Sequence, residues 1–330
     1  MSTIQNASGN FLGNVPPFLS NYAAISGPWG TFVKPGGRIA AYVRSTGAQD
    51  GEDHFAASGL LVTTLQAALS RCRSGQNDIV IVLPGHAESI STADFLTNLV
   101  AGTQIIGVAP LRSAQMPTLT FTATTSTVLL DVAGCTISGI KFAVGIDAVV
   151  SFLTVSAAGC RIEGCLFQMG TSSALDAGTG VIVAAGADDL VIFSNVFQGT
   201  STAVTTNCIS CTGAVNGLTV AQNDFDVSIS GATSGVIEFS AAATQFRITG
   251  NNIVNRRAAA AVAIRWTDVA LAGIISENNL AFAADITGAT AALSAAGTTT
   301  HLVRAFDNLV HDENQGTAIT ALMTSAATIE

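Results

Sequence analysis

The sequence has few charged residues, fewer basic than acidic ones, and no long apolar run. Charged residues make up 11% of the 330 positions, the formal net charge is −9, and hydrophobic residues make up 48%. A field of that sign repels polyanions, so neither nucleic acid nor an anionic membrane surface is an expected partner. No segment reaches the roughly 18 apolar residues that a spanning helix needs. The first ten residues also lack the basic start of a secretory signal.

Cysteine is sparse as well. Six cysteines in this length are too few for a disulfide scaffold, so we expect free thiols. Cys208 and Cys211 have a CxxC spacing, but no second pair follows to complete a zinc site. Residues three apart in a strand point to opposite faces, which predicts one thiol inside and one outside. No motif implies a metal or any other cofactor.

What the sequence does have is an internal repeat over its last two thirds. Seven segments of eight residues recur at intervals of 25 to 30 residues. In six of them the third residue is β-branched, and in all of them the eighth is large and apolar. The segments are CTISGIKF (135–142), CRIEGCLF (160–167), LVIFSNVF (190–197), LTVAQNDF (218–225), FRITGNNI (246–253), GIISENNL (273–280) and LVRAFDNL (302–309).

The sixth position of these segments predicts an asparagine ladder. Side-chain amides stacked at the ~4.8 Å spacing of neighbouring strands can bond to one another and to the turn backbone. The predicted ladder consists of Asn195, Asn223, Asn251, Asn278 and Asp307.

Short strands, no intervening helix and this repeat length favour an all-β fold, a parallel β-helix of about eight coils over residues 78–310. Cys135 and Cys160 share the first position of successive segments, so we expect them to stack as buried small side chains. Glu238 and Arg265 are 27 residues apart beside equivalent isoleucines. We expect them to form an exposed ion pair of small energy.

The two ends of such a solenoid need covers, because end coils expose backbone and an apolar interior. Residues 37–77 are expected to supply a lead-in strand and a capping helix. The helix is predicted over 63–74, with Thr63 or Thr64 as N-cap and Gly75 as its end. Residues 311–330 lack the repeat and form a C-terminal cap, a subunit contact or a tail.

Residues 1–36 differ in composition from the rest. They have one charge, Lys34, yet hold five aromatic residues and four prolines. Such a segment predicts an extended arm that binds another surface, with packing along its own β-helix as the alternative. The expected partner contacts are Phe11, Pro16, Pro17, Phe18, Tyr22 and Trp29.

The segments GRIAAYVRSTG (37–47), DIVIVLPGHAESI (78–90) and GTQIIGVAP (102–110), followed by Asn-bearing coils, resemble virion proteins of tailed bacteriophages. These belong to the right-handed parallel β-helix, or pectate-lyase-like, class. The resemblance covers about residues 37–310. It implies the fold but not the function, because members of the class include depolymerases, adaptors and non-enzymatic virion proteins. In that class the PGH segment forms a first-coil turn, which implies a structural role for His86.

Glycan cleavage on this scaffold requires two carboxylates about 5 to 9.5 Å apart, or an acidic calcium site beside a basic residue. Asp188 and Asp189 are adjacent but lie in the turn sequence GADDL, where solvated acids are common. Arg256 and Arg257 fit a subunit or capsid contact as well as an anion site. Four further acids of the coils occupy different columns, namely Glu163, Asp224, Glu238 and Glu277. The histidines are far apart in coil order, at positions 54, 86, 301 and 311.

Aromatic stacking platforms for sugars are also scarce in the coils, where Trp266 has no Tyr beside it. The strand faces are instead rich in small uncharged residues, which favours side-by-side association into a trimer. We therefore expect a non-enzymatic, trimeric protein of the virion surface that decorates or cements the capsid. It is expected to assemble in the bacterial cytoplasm and to bind the major capsid protein or another virion component through its arm. The alternative is a head or tail spike that binds or cuts a host glycan, with a site between subunits.

Overall fold

The structure, a computed structural model, describes residues 37–46, 58–172, 174–200, 205–229, 234–256, 262–267, 270–282, 293–296, 302–312 and 323–324. Strands account for 52% of the described residues and helix for 2%. The strands form three sheets that run parallel to one axis, and each turn of the chain contributes one strand to each sheet in order.

The first sheet contains twelve described strands, which pair in parallel. They are β1 (Ile39–Val43), β2 (Leu61–Val62), β3 (Ile79–Val82), β5 (Gln104–Gly107), β8 (Thr136–Ser138), β11 (Arg161–Glu163), β15 (Val191–Phe193), β18 (Val215–Asn216), β19 (Thr219–Ala221), β22 (Ala243–Thr249), β25 (Leu271–Ser276) and β28 (Leu302–Phe306).

The second sheet is also parallel and has nine described strands. They are β4 (Ala87–Ile90), β6 (Thr118–Phe121), β9 (Lys141–Val144), β12 (Leu166–Gln168), β16 (Val196–Gln198), β20 (Asp224–Val227), β23 (Asn252–Asn255), β26 (Asn279–Phe282) and β29 (Leu309–Asp312).

The third sheet is parallel except for β13, which pairs antiparallel with β14. Its described strands are β7 (Val128–Leu130), β10 (Val149–Val155), β13 (Gly170–Ser172), β14 (Leu175–Val183), β17 (Asn207–Cys211), β21 (Gly235–Phe239), β24 (Val262–Thr267), β27 (Leu293–Ala296) and β30 (Met323–Thr324).

The fold is therefore a right-handed parallel β-helix, as predicted, with about seven turns against the eight expected. The lead-in strand β1 already pairs with β3, so the first sheet starts well before residue 78. Both faces of β3 are buried, as its apolar run predicts. Parallel strands that are covered on both faces read as continuous apolar segments rather than as an alternation.

The interior is filled by columns of identical side chains, of which the phenylalanine column is the clearest. The rings of Phe142, Phe167, Phe197 and Phe225 are stacked, with successive centroids 4.9, 4.5 and 4.7 Å apart. Such offset stacking adds about 0.5 to 1.5 kcal/mol per pair to the burial of the rings. The column occupies the predicted eighth position of each segment.

The predicted asparagine ladder is confirmed for four residues, Asn195, Asn223, Asn251 and Asn278, each of them 1% exposed. Each Oδ1 accepts a hydrogen bond from the backbone N–H at the equivalent position one turn below, at 2.9 to 3.1 Å. The Oδ1 atoms of Asn223, Asn251 and Asn278 also accept from the side-chain amide of the asparagine one turn below, at 2.9 to 3.0 Å. Every Nδ2 donates to the backbone carbonyl of the third position one turn below. The ladder thus satisfies the buried polar groups of one corner of the coil.

Asp307, the predicted end of the ladder, is not part of it. Strand pairing aligns Ile275 with Ala305, so the last repeat is shifted by one residue and Asn308 occupies the ladder position. The Asn308 Oδ1 accepts from the amide of Asn278 at 2.8 Å. The segment lacks the β-branched residue that marks the frame elsewhere, and only the hydrogen-bond register reveals the shift. Asp307 instead lies at an exposed corner with φ 53°.

The cysteines are free thiols, and all but Cys72 are buried. Cys135 and Cys160 are each 1% exposed, in agreement with the predicted column. The prediction of one inner and one outer thiol at Cys208 and Cys211 is wrong, because both are 0% exposed. Three successive residues of β17 are buried at its start. A parallel strand that is covered on both faces buries successive side chains, so alternation between faces does not expose one of the two thiols.

The capping helix is present but shorter than predicted. α1 spans Leu65–Leu69, and the Thr64 hydroxyl accepts from the N–H of Ala67 as its N-cap. Leu65, Ala68 and Leu69 face the core, as expected. The helix ends early because the chain tightens, with the N–H of Arg71 donating to the carbonyl of Ala68 three residues back. The helix therefore covers the first coil with a single turn.

Candidate functional site

The six arm residues expected to contact a partner, Phe11, Pro16, Pro17, Phe18, Tyr22 and Trp29, lie outside the described residues. Among the described residues, several polar side chains lie together on the outer face of the second sheet. The loop at 108–117 runs along this face. Its Met116 packs on Leu166 and Val196, and the Arg112 Nη2 lies 2.5 Å from the Asp224 Oδ2.

A second ladder, which we call the outer ladder, continues from that ion pair. The amide of Asn252 donates to the other oxygen of Asp224 at 2.9 Å, and the amide of Asn279 donates to the Asn252 Oδ1 at 2.8 Å. These three residues occupy one outward column of β20, β23 and β26. The outer ladder was not predicted, although the consecutive asparagines at 251–252 and 278–279 carry its signal.

Asp226 follows Asp224 by two residues on β20, so both carboxylates point outward. Two residues of strand span about 6.7 Å, which is within the about 6.5 to 9.5 Å range of inverting glycosidases. Both oxygens of Asp226 are held by Arg256, one of them at 2.6 Å from Nη2. Both oxygens of Asp224 are held by Arg112 and Asn252. The oxygens of both carboxylates are thus occupied by side chains of the chain itself, whereas a catalytic acid or base must be within hydrogen-bond reach of a substrate.

Glu163 is 2% exposed. It pairs with Arg161, whose guanidinium also lies 5.5 Å from the ring centroid of Phe193. Burial raises the pKa of Glu163, and Arg161 opposes that rise. Its second oxygen has no hydrogen-bond partner among the described residues. A carboxylate enclosed to this degree is not accessible to a polymeric substrate.

The predicted pair of Glu238 and Arg265 is formed, with Oε1 and Nη1 3.0 Å apart, but it is not exposed as expected, since both side chains are 15% exposed. The other oxygen of Glu238 accepts from the amide of Asn207 at 2.8 Å. The pair is therefore one part of a half-buried network on the third sheet, which the sequence spacing alone did not indicate.

Asp188 and Asp189 lie in a turn, as predicted, and the Asp188 Oδ1 accepts from the N–H of Asn216 at 2.8 Å. His86 is buried and its Nε2 lies 3.2 Å from the Glu88 Oε2. That same carboxylate oxygen accepts from the N–H of Leu65 at the start of the capping helix. His86 thus lies in a contact between the first coil and its cover.

Within the ranges that the structure describes, no three His, Cys, Asp or Glu side chains are grouped so as to hold a metal ion. A search of the same residues for a helix of sufficient length and apolarity to cross a membrane finds none. No protein-family model, curated protein or solved structure matches the chain.

Proposed function

We propose that the chain is a non-enzymatic structural protein of a tailed-phage virion. In this proposal it is a homotrimer that decorates or cements the capsid from outside and binds it through the arm of residues 1–36. The observation that supports this function best is the state of two outward carboxylates on one strand, Asp224 and Asp226. All four of their oxygens accept hydrogen bonds from Arg112, Asn252 and Arg256. Such bonds link neighbouring strands and a loop, whereas a catalytic acid and base need access to a substrate.

The construction of the coils supports the same role. Columns of stacked phenylalanines and amides repeat along the axis with few changes, so each turn is held by its neighbours. A particle surface benefits from a rod of this kind because local opening must break contacts on two sides.

The first test is the copy number of the chain relative to the major capsid protein in purified particles, measured by quantitative mass spectrometry. A ratio that is a sizeable fraction of one agrees with a capsid decoration role. A few trimers per particle would contradict it and assign the chain to a tail or a vertex.

The arm is tested by deleting residues 1–36 and measuring both the mass in solution and binding to capsids that lack the protein. The proposal requires that the truncated chain keep its oligomeric state and lose capsid binding. Retained binding would refute the arm as the anchor.

A glycan-cleaving spike is the second candidate, favoured by the spacing of Asp224 and Asp226 on β20. The test is digestion of host polysaccharide, followed by viscosity and new reducing ends. Activity that falls at least about 100-fold in both Asp224→Asn and Asp226→Asn, but not in Asp188→Asn, would replace the structural proposal with the enzymatic one.

A further inference from the structure

Two arginines differ from the other arginines of the described residues in having no bonding partner for the guanidinium. Arg247 and Arg304 are exposed, and neither takes part in any ion pair or side-chain hydrogen bond within the described ranges. The ion-paired arginines are Arg38, Arg73, Arg112, Arg161, Arg256 and Arg265. The chain has a net charge of −9, and these two exposed cations have neither a carboxylate nor a carbonyl partner among the described residues.

The two arginines occupy one column on the outer face of the first sheet. Arg247 pairs with Ile274, and Ile274 pairs with Arg304, so the guanidiniums are two turns, or about 10 Å, apart along the axis. The same face carries two exposed apolar side chains on β28, with Leu302 66% and Phe306 45% exposed. Exposed apolar side chains grouped with arginine are typical of protein interfaces.

Two carboxylates of opposite charge lie at the neighbouring corner of the coil. Glu277 and Asp307 are exposed and share the left-handed corner position, with φ 58° and 53°. They belong to successive turns, the second of which also carries Arg304. The described residues offer neither of them a cationic partner.

We propose that this face, defined by Arg247, Ile274, Leu302, Arg304 and Phe306, packs against a second copy of the chain. In the resulting trimer, Arg304 of one protomer meets Asp307 of the next at the same height, and Arg247 lies one turn from the height of Glu277 of the next. This inference rests on the trimer of the proposed function and identifies the surface that forms it.

A second copy is supported as the partner by the positions of the charged residues along the solenoid axis. Copies arranged in parallel around a threefold axis place equivalent turns at equal heights. The basic column, which spans three turns, then lies level with the acidic corner of the last two of them. Each protomer presents both charges, so every interface of a closed trimer receives the same pairs. An antiparallel arrangement would not keep the turns level.

The test is a charge exchange in the full-length chain, with mass measured by sedimentation equilibrium and native mass spectrometry. Arg304→Glu and Asp307→Lys are each expected to raise the concentration at which half the chains are assembled by about tenfold or more, as loss of about 1.4 kcal/mol predicts. The double variant restores the opposite charges across the interface and is expected to recover most of that loss. Matched controls are Lys141→Glu and Asp131→Arg, which lie away from this face.

The outcomes separate this inference from the function on which it rests. A wild-type chain that is monomeric at all accessible concentrations would refute the trimer itself. A wild-type trimer that responds to neither single variant, or one in which the double variant is weaker than both, would overturn the interface and leave the trimer standing. Unchanged circular dichroism in the single variants shows that the coil remains folded.

Discussion

Asn251 and Asn252 are adjacent in the chain, yet they belong to different environments. Asn251 is 1% exposed, its Oδ1 accepts two bonds from Asn223, and its amide donates to Val220 and Asn278. Asn252 points outward and makes two side-chain bonds, to Asp224 and from Asn279. Both form ladders of the same spacing, but the two side chains differ in burial and in the number of bonds that they make.

Burial decides how much each ladder contributes. A buried donor that loses its partner cannot bond to water, and its cost is about 1 to 3 kcal/mol, whereas a group at the surface replaces the lost bond with water. The inner ladder is therefore required for the corner of the coil, while the outer ladder adds a small increment to strands that are already paired.

The largest effect is expected for Asn251→Ala. The substitution removes the acceptor for both the N–H and the amide of Asn223 and the donor to the carbonyl of Val220. We expect the free energy of unfolding to fall by about 3 to 5 kcal/mol, measured by urea unfolding followed by circular dichroism. A loss below about 1 kcal/mol would contradict the role given to the inner ladder.

A buried and an exposed carboxylate allow the same comparison of burial to be made for charged side chains. Asp78 is 0% exposed, and Arg73 donates to both of its oxygens at 2.7 to 3.0 Å. The hydrogen bonds from Arg73 lower the pKa of Asp78 from 3.8 to about 2, against the effect of burial. Because the folded pKa is the lower one, this contribution is complete above about pH 4 and is lost as the pH falls toward 2.

The corresponding variant is Asp78→Asn. We expect it to be less stable than the wild type by about 2 kcal/mol at pH 7, with the difference shrinking as the pH falls from 4 to 2. Thermal unfolding across pH 2 to 7 measures this. The control is Asp224→Asn, whose ion pair is 37% and 53% exposed on its two sides and which should change stability by less than about 1 kcal/mol. A constant difference at all pH values would rule out the proposed linkage.

The smallest effect is expected for Asn252→Ala. Its two bonds are at a half-buried surface, and the backbone pairing of β23 does not depend on the side chain. We expect a loss of about 0.5 to 1 kcal/mol in the same urea measurement. A loss equal to that of Asn251→Ala would mean that burial does not distinguish the two ladders.

The sequence allowed most of the fold to be predicted because a solenoid repeats its constraints. Each turn repeats the same three residue types. These are an Asn, a large apolar residue two positions after it and a β-branched residue three positions before it. The prediction of the ladder residue was wrong in the last turn, where the repeat departs from this pattern. The last repeat is shifted by one residue relative to the others, as the pairing of Ile275 with Ala305 shows, so Asp307 does not occupy the ladder position.

The outer surface was harder to predict, since its partners are not related by the repeat. Arg112 meets Asp224 across 112 positions of sequence, and no spacing rule indicates that contact. Arg256 was predicted to contact a subunit, the capsid or an anion, but its partner among the described residues is Asp226, 30 positions away. The prediction for the two thiols of the CxxC pair used strand alternation, which does not expose either side chain because successive residues of β17 are buried.

By itself the sequence determined the parallel β-helix, its inner ladder, its phenylalanine column and the covering helix, because each depends on which residues recur at one position of a turn. Tertiary structure alone decided which charges are neutralised and which stay exposed. Arg112 and Arg256 find carboxylates, whereas Arg247 and Arg304 do not among the described residues. The physical reason is that interior positions are fixed by the short-range register of neighbouring strands, whereas surface charges depend on loops whose path the repeat does not specify.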